Sequence, residues 1–356
     1  MSLPPTMPEH YRLLGGPGSP YSLKMRAILR YRRLPHLWIV PPGYIGNNGE
    51  LALASKKIIP VLQYPDGSYW ADSTPLAHAL EARHPGQRSI IPDDPGLAFL
   101  SHLIEDLADE VLPIALFDMR WGSQDDITFC ARRQMSGWLP PMPASEFEAL
   151  VTKFTNRQVA RRAIWVAEDN HSILADFYLR LLAAMEQMHE TTSWLFGSRP
   201  SLGDFGLYGQ LSQCAIDPTA SSLMRRLAPR SYQWTQTLDD ACGIDGEWAA
   251  PASMPPAVGL LLDLVGEFHL PLLLAHSHAC ASGDTNCGAT VAGRRWVVRK
   301  AEPYKLKCLT WLRHELAHVP EASLQWLRPL LQQHGCWDAL QRDDLDAGFF
   351  KPMAPL

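Results

Sequence analysis

The chain has 356 residues, 46% of them apolar and 19% charged, with 37 acidic against 32 basic side chains and a formal charge of −5. That length and apolar content support two or three domains with a sizeable core and exclude an intrinsically disordered chain. The acidic balance argues against nucleic-acid binding, which calls for a basic surface.

The first 85 or so residues alternate between strand and helix signals. Tyr11-Arg12-Leu13-Leu14 reads as a strand, stopped by Gly15-Gly16-Pro17-Gly18. Ser19-Pro20 then opens a helix over residues 21–33, Ser as N-cap and Pro at the first helical position. Leu23, Ala27 and Leu34 share the inner face of this helix, with Lys24, Arg26 and Arg30 largely off it. Residues 36–40 form a second strand. Residues 58–62, containing Ile59-Pro60-Val61-Leu62, form a third, and a Pro65-Asp66-Gly67-Ser68 turn leads to a fourth at Tyr69-Trp70-Ala71. Asp72-Ser73-Thr74-Pro75 begins the next helix. The order β-α-β, β-β-α predicts a small α/β domain with a mixed sheet.

After a linker at residues 91–96 the periodicity turns helical, over residues 99–119, 145–153 and 175–190. A helix over residues 107–121 ends in Phe117-Asp118-Met119-Arg120-Trp121, and Ser201-x-x-Asp204 reads as a helix-opening capping box. Residues 246–253 resemble a second linker. Beyond it lie helical patches at 258–268, 303–317 and 321–333, with a strand edge at 293–298. The domains expected are therefore residues 1–88, 97–245 and 246–356. The most apolar stretch, residues 257–265, is interrupted by Asp263 and falls well under the roughly 20 residues that span a bilayer, so no membrane association is expected. The N-terminus carries no secretion pattern. Seven scattered cysteines without a CxxC pair fit buried thiols in a cytoplasmic, reducing setting.

The strand–loop–helix running from Tyr11 to Ser22, the Ile59-Pro60 strand, the Asp72-Ser73 dipeptide and the helical region with its Ser201/Asp204 box together resemble the glutathione S-transferase superfamily over residues 10–245. The last hundred residues resemble only its extended bacterial members. The resemblance implies a thioredoxin-like domain, an all-helical domain and a mainly helical C-terminal extension. It also implies glutathione as co-substrate and a small hydrophobic electrophile as partner. In such a site Pro60 is cis and shapes the pocket, while the Ile59 main chain pairs with the cysteinyl unit. Ser73 and the helix amides hold the γ-glutamyl carboxylate, with Asp72 at the turn or the amino group. Lys56 or Lys57 meets the glycyl carboxylate.

Ser19 is the catalytic assignment. A free thiol ionises near pH 8.5, and a hydroxyl donor at a helix N-terminus favours the thiolate. Ser19 and Ser22 stand at both positions that a dithiol redox motif fills with Cys, which argues against glutaredoxin-like chemistry at this site. Tyr21 and Ser22 are alternative hydroxyls. Tyr21, Arg120 and Trp121 are expected to line the second-substrate pocket. The function expected is transfer of glutathione to the electrophile. Lyase or isomerase chemistry at the same site, or a non-catalytic transferase-like binding module, are the alternatives, and a homodimer is expected. His314-Glu315-Leu316-Ala317-His318 matches the zinc-hydrolase pattern HExxH, but Pro320 follows closely and the residues around the motif keep an ordinary amphipathic rhythm. The set His276, His278, Cys280 and Cys287 matches no standard metal spacing. No metal is expected.

Overall fold

The computed structural model describes residues 7–41, 50–51, 54, 58–86, 88–283, 288–298 and 300–341. Strand β1 (Tyr11–Leu14) leads through the Gly/Pro loop into α1 (Pro20–Tyr31), then β2 (His36–Ile39), β3 (Val61–Gln63), β4 (Tyr69–Ala71) and α2 (Ser73–Arg83). The sheet order is β2-β1-β3-β4, with β1 parallel to β2 and antiparallel to β3. In that register Leu13 lies opposite Leu62, and both are fully buried under α1 and α2. This is the thioredoxin-like arrangement.

An all-helical array follows: α3 (Pro95–Glu110), α4 (Leu112–Arg120), α5 (Gln124–Trp138), α6 (Ala144–Trp165), α7 (His171–Met188), α8 (Leu202–Cys214), α9 (Pro218–Leu227) and α10 (Pro229–Asp239). Asp94 caps α3 by accepting from the amides of Gly96 and Leu97. The helix expected over residues 107–121 is broken at Val111. Pro113, at the second position of α4, lacks the N–H needed to continue the hydrogen bonding of α3. The Ser201 capping box is formed, with Asp204 accepting from the Ser201 amide at 2.8 Å. Helix α8 packs closely because two of its glycines have no side chain. A Cβ on Gly206 would lie 2.9 Å from the Glu105 Cα, and one on Gly209 would lie 3.0 Å from the Pro20 carbonyl.

The extension contains α11 (Pro256–Leu264), α12 (Leu270–Ser282), a hairpin of β5 (Gly288–Val291) and β6 (Arg294–Val297), and α13 (Pro303–Ala317), α14 (Glu321–Gln333) and α15 (Trp337–Gln341). A π turn over Val265–His269 joins α11 to α12, so the helix runs unbroken from Pro256 to Ser282. This corrects the expectation that no segment is long enough to span a membrane. The apolar run continues past Asp263, and by length and composition these 27 residues suffice. In this fold 61% of the most apolar window is buried, with α11 packed on α7 and α12 on α13. A single apolar cluster connects the sheet, the helical array and the extension.

Helix α3 carries an acidic row, Glu105, Asp106, Asp109 and Glu110, that faces inward and meets a cation from a different segment at almost every step. Lys24 of α1 pairs with Glu105 and, at 2.6 Å, with Asp109. His269 of the π turn lies 2.7 Å from Asp106, and Lys305 of α13 lies 2.8 Å from Glu110. The expectation that Lys24 faces outward is therefore wrong. Its side chain is fully buried, because α8 and α3 cover that face of α1 and the two carboxylates balance its charge. Burial alone would push the Lys24 ammonium down, but Asp109 and Glu105 overcome this and leave it raised. Arg26 and Arg30 are only half-buried and share Asp239. Replacing Lys24 with Met leaves two buried carboxylates uncompensated and is expected to cost about 3–5 kcal/mol in urea unfolding. A loss below about 1 kcal/mol would show that the row does not hold α1 in place.

Candidate active-site cleft

A cleft of about 740 Å³ opens between the thioredoxin-like domain and the helical array. On one side lie Gly18, Ser19, Pro20 and Tyr21 at the start of α1, Ile58 to Pro60 before β3, and Asp72 and Ser73 at the start of α2. The Ile59–Pro60 peptide is cis. Two helix N-termini thus converge on one space, and each presents backbone N–H groups that favour an anion.

Ser19 is the N-cap of α1, and its Oγ accepts from the Ser22 amide at 3.3 Å. That bond uses a lone pair and leaves the O–H proton available to the cleft. The two alternative hydroxyls are placed differently. Tyr21 lines the cleft but donates its proton to the Asp109 carbonyl at 3.0 Å. Burial, followed by the carboxylates of Glu110 and Asp109, holds its phenol well above the ordinary value of 10. The Ser22 side chain is buried away from the cleft.

Asp72 sits at φ +88°, a backbone region that non-glycine residues occupy at a cost of order 1–3 kcal/mol unless neighbours hold them there. Those neighbours come from the extension. Tyr304 donates to Asp72 Oδ1 at 2.9 Å, and the Lys307 ammonium stands 3.8 Å from Oδ2. Ser73 is buried, with Lys24 Nζ 3.5 Å from its Oγ, so the acidic row of α3 reaches the start of α2 through Lys24. Lys56 and Lys57 lie outside the described residues.

The opposite wall is aromatic and cationic. Phe154, Arg157, Gln158, Arg161 and Trp165 recur at three- and four-residue spacing on one face of α6 and line the cleft with Phe117 and Trp138. The Arg161 guanidinium lies 4.1 Å from the Trp165 ring centroid, and Trp165 packs on Phe117 at 5.1 Å. Arg120 also lines the cleft, but its charge is engaged in a buried pair with Asp217, and it donates to Gln213 at 3.3 Å. Trp121 does not line the cleft, contrary to expectation. It is the C-cap of α4, where the chain leaves the helix, and its ring turns into the cluster of Cys130, Met135 and Val151 between α5 and α6. There it backs the wall, packing edge-on against Phe154 at 5.9 Å.

The α6 residues of the wall were not anticipated, nor were Gln134, Gln210, Glu302 and Tyr304. The Gln210 amide is fully buried with neither polar atom partnered, and the Gln134 amide nitrogen is likewise unpaired. Unsatisfied buried amides are rare, and here they face an open cavity. A polar residue in the middle of a largely apolar α8 was the sequence signal for Gln210. Among the described residues neither histidine motif is assembled as written. His314 and His318 are exposed on α13, while Glu315 points inward to His102. His276 is buried and accepts from the Glu302 amide at 3.2 Å, His278 is exposed, and Cys287 lies outside the described residues.

Residues 13–88 match the family described as the N-terminal domain of glutathione S-transferases. That stretch of the chain is therefore similar to the N-terminal domain of glutathione S-transferases. Over 121 residues it is 27% identical to glutathione S-transferase U8 of Arabidopsis thaliana, an alignment covering 33% of this chain and 53% of that protein. The chain thus matches about half the length of this curated relative. Among solved structures, the β-etherase LigF of Sphingobium sp. strain SYK-6 aligns at 17% identity and TM-score 0.48. That alignment covers 71% of this chain and 99% of that one. A rice glutathione S-transferase crystallised with glutathione aligns at 13% identity and TM-score 0.41, covering 64% and 85%. These structural likenesses concern the fold.

His276 gives the protein a defined acid sensitivity. Burial, and secondarily Lys305, hold its pKa at about 3, against 6.5 for an ordinary histidine. The native state therefore binds fewer protons than the unfolded chain. The stability contributed is complete above pH 6.5 and is lost as pH falls below it. His276 alone is expected to lower the unfolding free energy by about 2 kcal/mol between pH 7 and pH 5, and His276→Gln to remove that part of the slope in urea titrations.

Proposed function

We propose that this chain binds glutathione in the cleft and delivers its thiolate to an aromatic electrophile held by α4, α5 and α6. The observation that carries the reading is the position of Ser19. Its available hydroxyl and the amide-rich start of α1 share one open cleft with Ile59, Pro60, Asp72 and Ser73 on the near side and an aromatic–arginine wall opposite. The γ-glutamyl carboxylate sits at the α2 N-terminus on Ser73, and its ammonium meets Asp72. Ile59 pairs through its main chain with the cysteinyl unit, and Lys57 is the proposed partner of the glycyl carboxylate. The thiol then lies at Ser19, which donates to the sulfur and lowers its pKa.

The electrophile stacks among Phe117, Phe154 and Trp165, and the exposed guanidiniums of Arg157 and Arg161 favour one with an anionic or electron-rich edge. In the chemical step the sulfur electron pair forms the new carbon–sulfur bond, and the leaving group departs with the pair of the bond it loses. The unpaired amides of Gln134 and Gln210 donate to the charge that develops on the acceptor. The described cysteines carry no disulfide, which is consistent with work in a reducing compartment such as the cytoplasm. The superfamily resemblance adds a homodimer, which light scattering would register as twice the 39.8 kDa of one chain.

Ser19→Ala is expected to lower kcat with an aryl halide acceptor by about 100-fold while leaving glutathione affinity within a few-fold. Unchanged turnover would remove Ser19 from the chemistry. Gln210→Leu should lower kcat/KM for the acceptor by about tenfold while the protein becomes no less stable, since an unsatisfied buried amide is lost. If stability rises and the kinetics stay the same, Gln210 has no part in binding.

A further inference from the structure

Away from the cleft, three side chains from three segments converge: His78 on α2, His102 on α3 and Glu315 on α13. One donor atom from each lies within 4.8 Å of the other two. His102 Nδ1 is 2.6 Å from Glu315 Oε2, and Trp311, one turn before Glu315, packs against both imidazoles at 4.9 and 5.3 Å. Two orphaned polar atoms border the cluster. His78 Nε2 is shielded from solvent and has no partner, and so is Glu105 Oε2, which lies 3.9 Å from His102 Nε2. Among the described residues the four α3 carboxylates and Glu315 are met by Lys24, His269, Lys305 and His102.

We propose that His78, His102 and Glu315 form a zinc site that clips the extension to both preceding domains. Two imidazoles and one carboxylate are a donor set that zinc accepts in tetrahedral geometry, with a fourth position for water. Ligand atoms around zinc stand about 3.3 Å apart, so side-chain rotations of about an ångström close the site. Binding satisfies His78 Nε2 directly. It displaces the proton shared by His102 and Glu315, leaving His102 Nε2–H to donate to Glu105 as the outer partner that orients a metal-bound imidazole. The glutamate of the HExxH stretch is then a ligand, turned inward while the two histidines of that motif are exposed. Zinc in this role ties three segments together, lies outside the lining of the cleft, and takes no part in the proposed transfer reaction.

The test uses the full-length chain, stripped with chelator and dialysed against zinc, with bound metal counted by mass spectrometry. One zinc per chain is expected, with a rise in melting temperature. His78→Ala should weaken binding at least about 100-fold, whereas a His314→Ala/His318→Ala double variant should keep it. Cobalt on the wild-type protein supplies a readout that needs no variant, because a four-coordinate site gives intense visible absorption. Absence of saturable zinc binding below about 10 µM would overturn the proposal. So would retention of zinc by folded His78→Ala, loss of zinc in the double variant, or a cobalt spectrum like that of the aqueous ion.

Discussion

A buried lysine holds this molecule together at the point where its domains meet. Lys24 lies on α1, directly behind the loop that carries Ser19, and its ammonium joins Glu105 and Asp109 of α3 while standing 3.5 Å from the Ser73 hydroxyl. Burying an ammonium is tolerable only when charges of opposite sign meet it with good geometry. Here that requirement ties the starts of α1 and α2 to one face of α3. The same helix receives His269 and Lys305 from the extension. The cleft is the space left where these constraints meet.

The extension contributes to the cleft as well as bordering it. Tyr304 and Lys307 hold Asp72 in its unfavourable backbone conformation, and Glu302 and Tyr304 form part of the lining. His276 accepts from the amide of Glu302, so the segment that reaches Asp72 is anchored by a histidine that has to stay neutral. Acid conditions therefore bear on residues that complete the cleft.

Local chemistry was the legible part of this sequence. The Gly/Pro loop, the Ser19-Pro20 helix start, the Ser201/Asp204 box and helix α13 each announce themselves within a few residues, through capping, proline geometry or periodicity. Long-range pairing was not legible. Lys24 reads as lying off the apolar face of α1 until α3 supplies two carboxylates 81 and 85 residues later. Trp121 reads as a cleft residue because the helix before it lines the cleft, yet it stands where that helix ends. Tyr304 reaches Asp72 across 232 residues, and no local pattern marks such a contact. The HExxH stretch shows the same limit from the other side, since the motif is intact in sequence while its glutamate turns inward to His102 and its histidines are exposed.

The central claim is that the start of α1 makes a sulfur anion stable near neutral pH. Following thiolate absorbance of bound glutathione against pH tests it most directly. The account predicts an apparent pKa at least about one unit below the 8.5 of a free thiol, returning toward that value in Ser19→Ala. A bound thiol that titrates at or above the free value in the wild-type protein would contradict it.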